Sequence, residues 1–129
     1  MLLDTQNLFC EKQEITSGTI YSQNIINFGK NDVSFAPVVV QSVEDFTGLK
    51  SLTVSFETSQ DADFVEPVVL AETSLTQEKL NAGATFPITF LPKGNKGYMR
   101  LKFVVDGVET TGKITSGVVA GNGLSIHEI

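Results

Sequence analysis

The stretch Gly97-Tyr98-Met99-Arg100-Leu101-Lys102-Phe103-Val104-Val105-Asp106-Gly107-Val108 decides the fold. Its apolar side chains at positions 99, 101, 103 and 105 fall on one face of a β-strand. Tyr98, Arg100 and Lys102 fall on the opposite face, and Asp106-Gly107 has the composition of a tight hairpin turn. The pattern predicts a half-buried antiparallel strand whose outer face is aromatic and cationic.

Similar short strands recur between turn-forming residues along the rest of the chain. Leu52–Thr58 alternates in the same way, and Val38–Val40 and Val68–Leu70 are apolar runs typical of strands covered on both faces. Three further segments have strand composition: Thr19–Phe28, Thr85–Phe90 and Lys113–Val119. Ser74–Leu80, with capping-box spacing, predicts one short helical turn. The sequence therefore predicts an all-β fold, an antiparallel β-sandwich of about eight strands.

Composition limits the domain count and the classes of partner. A chain of 129 residues with 41% hydrophobic residues predicts a single domain, 1–129, with one core. The net charge of −6 disfavours direct binding to nucleic acid, because phosphates would repel it. No apolar run approaches the ~20 residues of a membrane span, and the start of the chain does not resemble a signal peptide. We expect synthesis in the cytoplasm and no membrane partner.

The residues that carry catalysis or bind metals are few and scattered. His127 is the one histidine and lies close to the end of the sequence, away from any rigid scaffold. Cys10 is the one cysteine, so no internal disulfide forms, and we expect an unreactive thiol. The segment Asp61–Glu66 has too few oxygen ligands for calcium and is interpreted as a solvated acidic turn. The sequence therefore predicts no enzyme, no metal site and no cofactor.

Two sets of residues suggest surfaces that contact other proteins. The basic cluster of Lys93, Lys96, Arg100 and Lys102 is either a solubilising strand face or a docking patch for an acidic protein. In the second interpretation Tyr98 and Arg100 are the anchors, since such residues dominate interfaces.

Both ends of the sequence are unusually apolar. The apolar residues concerned are Leu2, Leu3, Leu8 and Phe9 at one end, and Leu124, Ile126 and Ile129 at the other. Either they complete the sandwich core, or residues 1–9 form a docking arm and residues 120–129 form a C-terminal tail.

An ordered set of segments resembles one known family. The matching segments are Met1–Phe9, Gln13–Thr16, Ser22–Gly29, Leu52–Phe64, Leu91-Pro92 with Tyr98–Leu101, and Thr111–Val119. Together they resemble the tailed-phage capsid cement (decoration) proteins of the short jelly-roll type. The chain departs from that pattern at Cys10-Glu11 and in an extra tail after Val119.

The resemblance implies a jelly-roll-like sandwich and a structural role in the virion. Such a protein would bind the outer surface of an icosahedral phage head, contact the major capsid protein, and associate with itself as a homodimer or homotrimer. From their composition, we expect the N-terminal segment and the face that carries Tyr98, Arg100 and Lys102 to make the capsid or self contacts. The alternative function is a carbohydrate- or receptor-binding β-sandwich module on the virion, for which Tyr21 and Tyr98 are the available tyrosine platforms.

Overall fold

A computed structural model describes the backbone of residues 3–119 and the side chains of residues 7–119. Eight strands and one 3-10 turn follow one another along the chain. They are β1 (Leu3–Glu14), β2 (Gly18–Tyr21), β3 (Ile26–Asn27), β4 (Val38–Ser42), β5 (Thr47–Ser59), β6 (Val68–Thr76), the 3-10 turn Gln77–Lys79, β7 (Tyr98–Thr111) and β8 (Lys113–Val119). None of the helical structure in this part of the chain is long and apolar enough to cross a membrane.

The strands form two antiparallel sheets, as predicted. One sheet has the order β1-β8-β4, and the other has the order β2-β7-β5-β6 with β3 also paired to β7. The segment 84–91 runs beside β4 and extends the first sheet: the Phe86 N–H donates to the Val40 carbonyl, and the Val38 N–H donates to the Thr89 carbonyl. The chain thus crosses repeatedly between the two sheets of a jelly-roll-like sandwich.

The core lies between the two sheets and contains the residues that the alternation assigns to it. Met99, Leu101 and Phe103 of β7 are fully buried, as are Leu52, Val54 and Phe56 of β5. The interpretation of Val38–Val40 as a strand covered on both faces is also confirmed, since all three residues are buried.

The predicted hairpin at Asp106-Gly107 is wrong. The strand continues to Thr111, and Gly107 lies opposite Leu49 where the β5–β7 register shifts. A Cβ at Gly107 would collide with the backbone of Gly48 and Leu49, so glycine here permits close approach of two strands. The chain instead reverses at Gly112, where it passes from one sheet to the other.

The predicted helical segment Ser74–Leu80 is wrong in its first half. Ser74 belongs to β6, and its hydroxyl bonds across to Thr53 Oγ1 at 3.0 Å rather than capping a helix. Gln77 likewise uses its side-chain oxygen to accept the Leu49 N–H at 3.0 Å. Both polar groups of the supposed capping box therefore bond to β5, and the short helical turn is confined to Gln77–Lys79.

Three other strand predictions need correction in detail. Val68–Leu70 is not covered on both faces: β6 is an edge strand, and Val68 and Val69 are 40% and 50% exposed. Thr85–Phe90 is not a regular strand: it forms two isolated bridges, one from Thr85 to Gln41 of β4 and one from Phe90 to Pro37, which precedes β4. A regular ladder is interrupted because Pro87 has no N–H to donate. Thr19–Phe28 is divided into β2 and β3 by an irregular segment.

Candidate functional site

Arg100, a predicted interface anchor, is engaged by its own chain. Its Nε donates to Glu57 Oε1 at 2.9 Å across the β5–β7 pair. Its guanidinium carbon lies 4.0 Å from the centroid of the Tyr21 ring and 4.1 Å from that of Phe64. The Arg100 and Glu57 side chains are 17% and 5% exposed. The guanidinium is thus held by a carboxylate and two aromatic faces, an arrangement typical of a structural arginine.

Phe64 reaches Arg100 from the loop between β5 and β6. Its φ is 49°, a left-handed conformation that bulky residues rarely adopt, and its N–H donates to the Asp61 carbonyl at 3.0 Å. Phe64 is 6% exposed, although it is not part of the main core cluster between the sheets. The contact with Arg100 therefore fastens this loop, which includes the predicted acidic turn, to the outer face of the five-stranded sheet.

Hydroxyl and carboxylate groups cover the remainder of that outer face. The Ser55 hydroxyl of β5 donates to Glu72 Oε2 of β6 at 2.9 Å, so this hydrogen bond joins β5 to its other neighbouring strand. Lys102 lies opposite Ser55 on β7 and is half-buried. Tyr98 is also half-buried, at the start of β7. The structure thus brings Tyr98, Arg100 and Lys102 onto one face, as the alternation predicts, and all three side chains are half-buried there.

The N-terminal residues that can be described belong to the sandwich. Phe9 is fully buried, and its ring meets that of Phe56 edge to face, with centroids 5.9 Å apart. Leu8 is half-buried over Gly117 of β8, and Leu3 is in register with Val119. Phe9 thus completes the core, which is the first of the two interpretations of this end. Leu2 and the tail at 120–129, with its apolar residues and His127, lie outside the described residues.

The predicted basic cluster is divided between two places. Arg100 and Lys102 lie on the sheet face, whereas Lys93 and Lys96 are exposed in the loop 91–97. A third lysine, Lys30, is exposed in the neighbouring loop 28–37.

Asn95 joins these two loops. Its side-chain amide donates to the carbonyls of Gly29 and Asn31 at 2.9 and 2.8 Å, and its side-chain oxygen accepts the Gly97 N–H at 3.0 Å. Because both loops are bonded to one side chain, Lys30 and Lys93 come to lie along the same depression.

Two exposed phenylalanines adjoin this group of lysines. Phe35 is 72% exposed and Phe90 is 55% exposed. Their backbones are neighbours: Phe90 forms a bridge with Pro37, and the Leu91 N–H donates to the Ala36 carbonyl at 3.0 Å.

We define the end patch as Phe35, Phe90, Lys30, Lys93 and Lys96. The sequence alone does not single out the two phenylalanines, because an isolated Phe is interpreted as core by default. The available signal was position: Phe35 follows the turn segment Lys30–Ser34, and Phe90 follows Pro87 in a segment that cannot form a regular ladder.

Cys10 and the side chains that could bind a metal are the next groups to place in the described part of the chain. Burial raises the pKa of the Cys10 thiol from 9.0 to about 12, and its Sγ lies 3.5 Å from the Ile114 carbonyl. The prediction of an unreactive thiol is therefore supported by its surroundings. Between residues 3 and 119, no three His, Cys, Asp or Glu side chains are grouped in a way that could hold a metal ion.

Comparison with known proteins gives one family and one fold. The model of the Bbp16 family matches residues 9–118. The crystal structure of PirA is similar, with a TM-score of 0.50 and 11% sequence identity, over 82% of this chain and 89% of PirA. At that identity the likeness to PirA concerns the fold alone. No curated protein matches the sequence.

Proposed function

Because the chain belongs to the Bbp16 family, whose name is of the phage-protein type, we propose that it is a capsid cement protein. In this role it binds the outer surface of an icosahedral phage head and bridges subunits of the major capsid protein. The family match over residues 9–118 carries the proposal. The resemblance of the sequence to tailed-phage decoration proteins and the jelly-roll-like sandwich both agree with it.

The structure suggests how such a protein would reinforce a shell. A sandwich with one continuous core resists deformation, because its interior is close-packed. Each copy needs modest contacts with adjacent capsid subunits, and a homodimer or homotrimer adds those contacts together by raising the effective concentration. The negative net charge is compatible with a position on the outside of the head, away from the packaged DNA.

Co-sedimentation with phage heads tests the proposal directly. Purified protein is mixed with heads of the encoding phage that lack it, and heads of an unrelated phage are the control. We expect saturable binding to the cognate heads, and a higher temperature of head disruption when the sites are filled. Absence of binding to both expanded and unexpanded cognate heads would contradict the function. Light scattering of the free protein then distinguishes a dimer from a trimer.

The alternative remains a glycan- or receptor-binding module on the virion. The exposed aromatic rings Tyr21, Phe35 and Phe90 are the observation that favours it, since sugars stack on such rings. One face of Tyr21 is already occupied by Arg100, and Tyr98 is half-buried. Glycan binding by the isolated protein that is lost in Tyr21→Ala, Phe35→Ala or Phe90→Ala, together with no affinity for heads, would establish this alternative.

A further inference from the structure

The end patch combines exposed aromatic area with a fixed backbone. Phe35 and Phe90 are the two aromatic side chains with the largest exposed fractions in the described part of the chain. Burying such side chains in a partner is favourable, because it removes apolar area from water. The loops that carry them are bonded to each other through Asn95 and through the Leu91–Ala36 pair, so little order has to be gained on binding.

The charges on the two loops have the opposite sign to that of the chain as a whole. Segments 28–37 and 90–97 contain Lys30, Lys93 and Lys96 against one carboxylate, Asp32, whereas the whole chain has a net charge of −6. Asp32 accepts the Ser34 N–H at 2.9 Å; this hydrogen bond is the main cause of the lowered pKa of its carboxyl, and the charge of Lys93 lowers that pKa further. Among residues 7–119 the one ion pair joins Arg100 to Glu57. None of the three lysines forms an ion pair of that kind, although the charge of Lys93 acts on Asp32, so the patch keeps a net positive charge for an acidic surface.

We propose that the end patch is the surface by which this protein docks on the capsid, and that its partner is an acidic protein surface with an apolar recess for Phe35 and Phe90. This inference rests on the proposed function, and it assigns that function to particular residues. The two rings supply the buried area, and the flanking lysines supply orientation and association rate. The Tyr98–Lys102 face of β7 is thereby placed outside the main contact.

Charge and symmetry argue against the other occupants. Nucleic acid would meet the lysines only while facing an otherwise acidic chain, which includes the nearby loop Asp61–Glu66. A second copy that bound the end patch through a different, acidic region would form a heterologous contact, and such contacts form rings or open filaments. A two-fold dimer formed through the end patch would instead bring the like-charged lysines of both copies together, so a discrete dimer leaves the end patch available for the capsid; a trimer is itself a heterologous ring, which the self-association measurement below tests.

Two pairs of variants with matched controls test the assignment. In the charge pair, Lys93→Glu/Lys96→Glu is compared with Lys50→Glu/Lys79→Glu, which changes the net charge equally at exposed lysines of β5 and the 3-10 turn. In the apolar pair, Phe35→Ser/Phe90→Ser is compared with Val65→Ser/Val108→Ser, which alters valines that are 71% and 78% exposed. All of the substituted side chains are exposed, so circular dichroism and thermal melts should match those of the wild type.

Head binding is measured for the wild type and the four variants over a range of salt concentrations. We expect each end-patch variant to lose about tenfold or more in affinity, and each control to stay within about twofold. The Lys93→Glu/Lys96→Glu variant should also lose most of the salt dependence seen with the wild type.

The outcomes separate the two proposals. Failure of the wild type to bind heads would overturn the proposed function itself. Wild-type binding with equal affinity in all four variants would overturn only the assignment to the end patch. So would end-patch variants that lose self-association or binding to single-stranded DNA while keeping their affinity for heads.

Discussion

Replacing Arg100 with methionine should destabilise the protein strongly, although Arg100 lies outside the main core. The substitution keeps an apolar side chain on β7 but leaves the Glu57 carboxylate, 5% exposed, without its 2.9 Å partner. Removing one member of a buried ion pair costs about 3–5 kcal/mol, and the partial exposure of Arg100 favours the lower end. Loss of two cation–π contacts adds about 0.5–1 kcal/mol each, which the new apolar contacts of methionine partly offset. We therefore expect Arg100→Met to lower the free energy of unfolding by about 3–4 kcal/mol.

Urea denaturation at neutral pH measures this change, with Lys102→Met as the matched control. Lys102 lies two residues further along β7 on the same face, so its substitution should stay within about 0.5 kcal/mol of the wild type. The double variant Glu57→Gln/Arg100→Met should be much less unstable than the sum of its single variants, because no buried charge is left unpaired. We call the contacts of Arg100 with Glu57, Tyr21 and Phe64 the clamp. A loss of unfolding free energy below about 1 kcal/mol in Arg100→Met, or additive effects in the double variant, would refute the interpretation that the clamp stabilises the fold.

Three further predictions concern other parts of the fold. Gly112→Ala should cost about 1–3 kcal/mol, because its Cβ would overlap the buried ring of Phe46, and Phe46→Leu should recover part of the loss in a denaturant titration. Cys10 should resist labelling by maleimide at pH 8 until the protein unfolds. Above pH 9 the unfolded chain releases the thiol proton, whereas the folded chain, in which the thiol has a pKa of about 12, retains it. The free energy of unfolding should therefore fall with rising pH more steeply in the wild type than in Cys10→Ala. Asn95→Ala should weaken head binding without changing the end patch chemically, and unchanged affinity would show that the order of the two loops is unimportant.

The clamp also bears on how the predicted interface should be tested. Arg100→Glu would place a second carboxylate beside Glu57 under the ring of Phe64, and two like charges in a buried site are destabilising. Loss of head binding in that variant would therefore report misfolding as readily as a lost contact. Lys102→Glu is the better test of the sheet face, since Lys102 is half-buried and its charge is not part of the buried pair.

The central strands are predictable from the sequence because their burial is one-sided. In β5 and β7 the core-facing apolar residues occur at every second position. When one face of a strand packs on a core, this period determines which residues face the core. The alternation does not reveal which strands lie at an edge. The run Val68–Leu70 therefore indicates a strand covered on both faces, whereas β6 has a partner on one side alone within the described sheet. Tertiary pairing likewise overrides local helix signals at Ser74, whose hydroxyl bonds to Thr53.

The candidate site is less predictable, because its definition depends on which side chains remain unpartnered after folding. Arg100 and Lys93 look equivalent in the sequence, yet one is bonded to Glu57 and the other extends from an exposed loop. Similarly, Phe9 is fully buried whereas Phe35 is 72% exposed, although both follow short polar segments. Local sequence cannot separate these cases, since the partners of Arg100 and Phe9 come from strands distant in the chain.

The clamp and the end patch are connected through hydrogen bonds and contacts of the loops at one end of the sandwich. A left-handed φ at a bulky residue costs of order 1–3 kcal/mol, and the contact with Arg100 and the hydrogen bond to the Asp61 carbonyl both offset this cost at Phe64. The loop of Phe64 begins where β5 ends, and there the Thr58 hydroxyl accepts the Lys96 N–H at 2.9 Å. The buried pair on the sheet and the lysine loop at the end of the sandwich are therefore joined by one short path along β5.

Because of this connection, the contacts of Arg100 within its own chain also affect docking. A protein that docks by exposed rings and flexible lysines gains affinity when the backbone beneath them is already ordered, because less conformational entropy is lost on binding. Glu57 is followed on β5 by Thr58, whose hydroxyl accepts the Lys96 N–H, and we infer that the Arg100–Glu57 pair helps to order the end of the sandwich on which the end patch lies. Arg100 is therefore part of the docking mechanism that we propose, although its own side chain does not reach the partner.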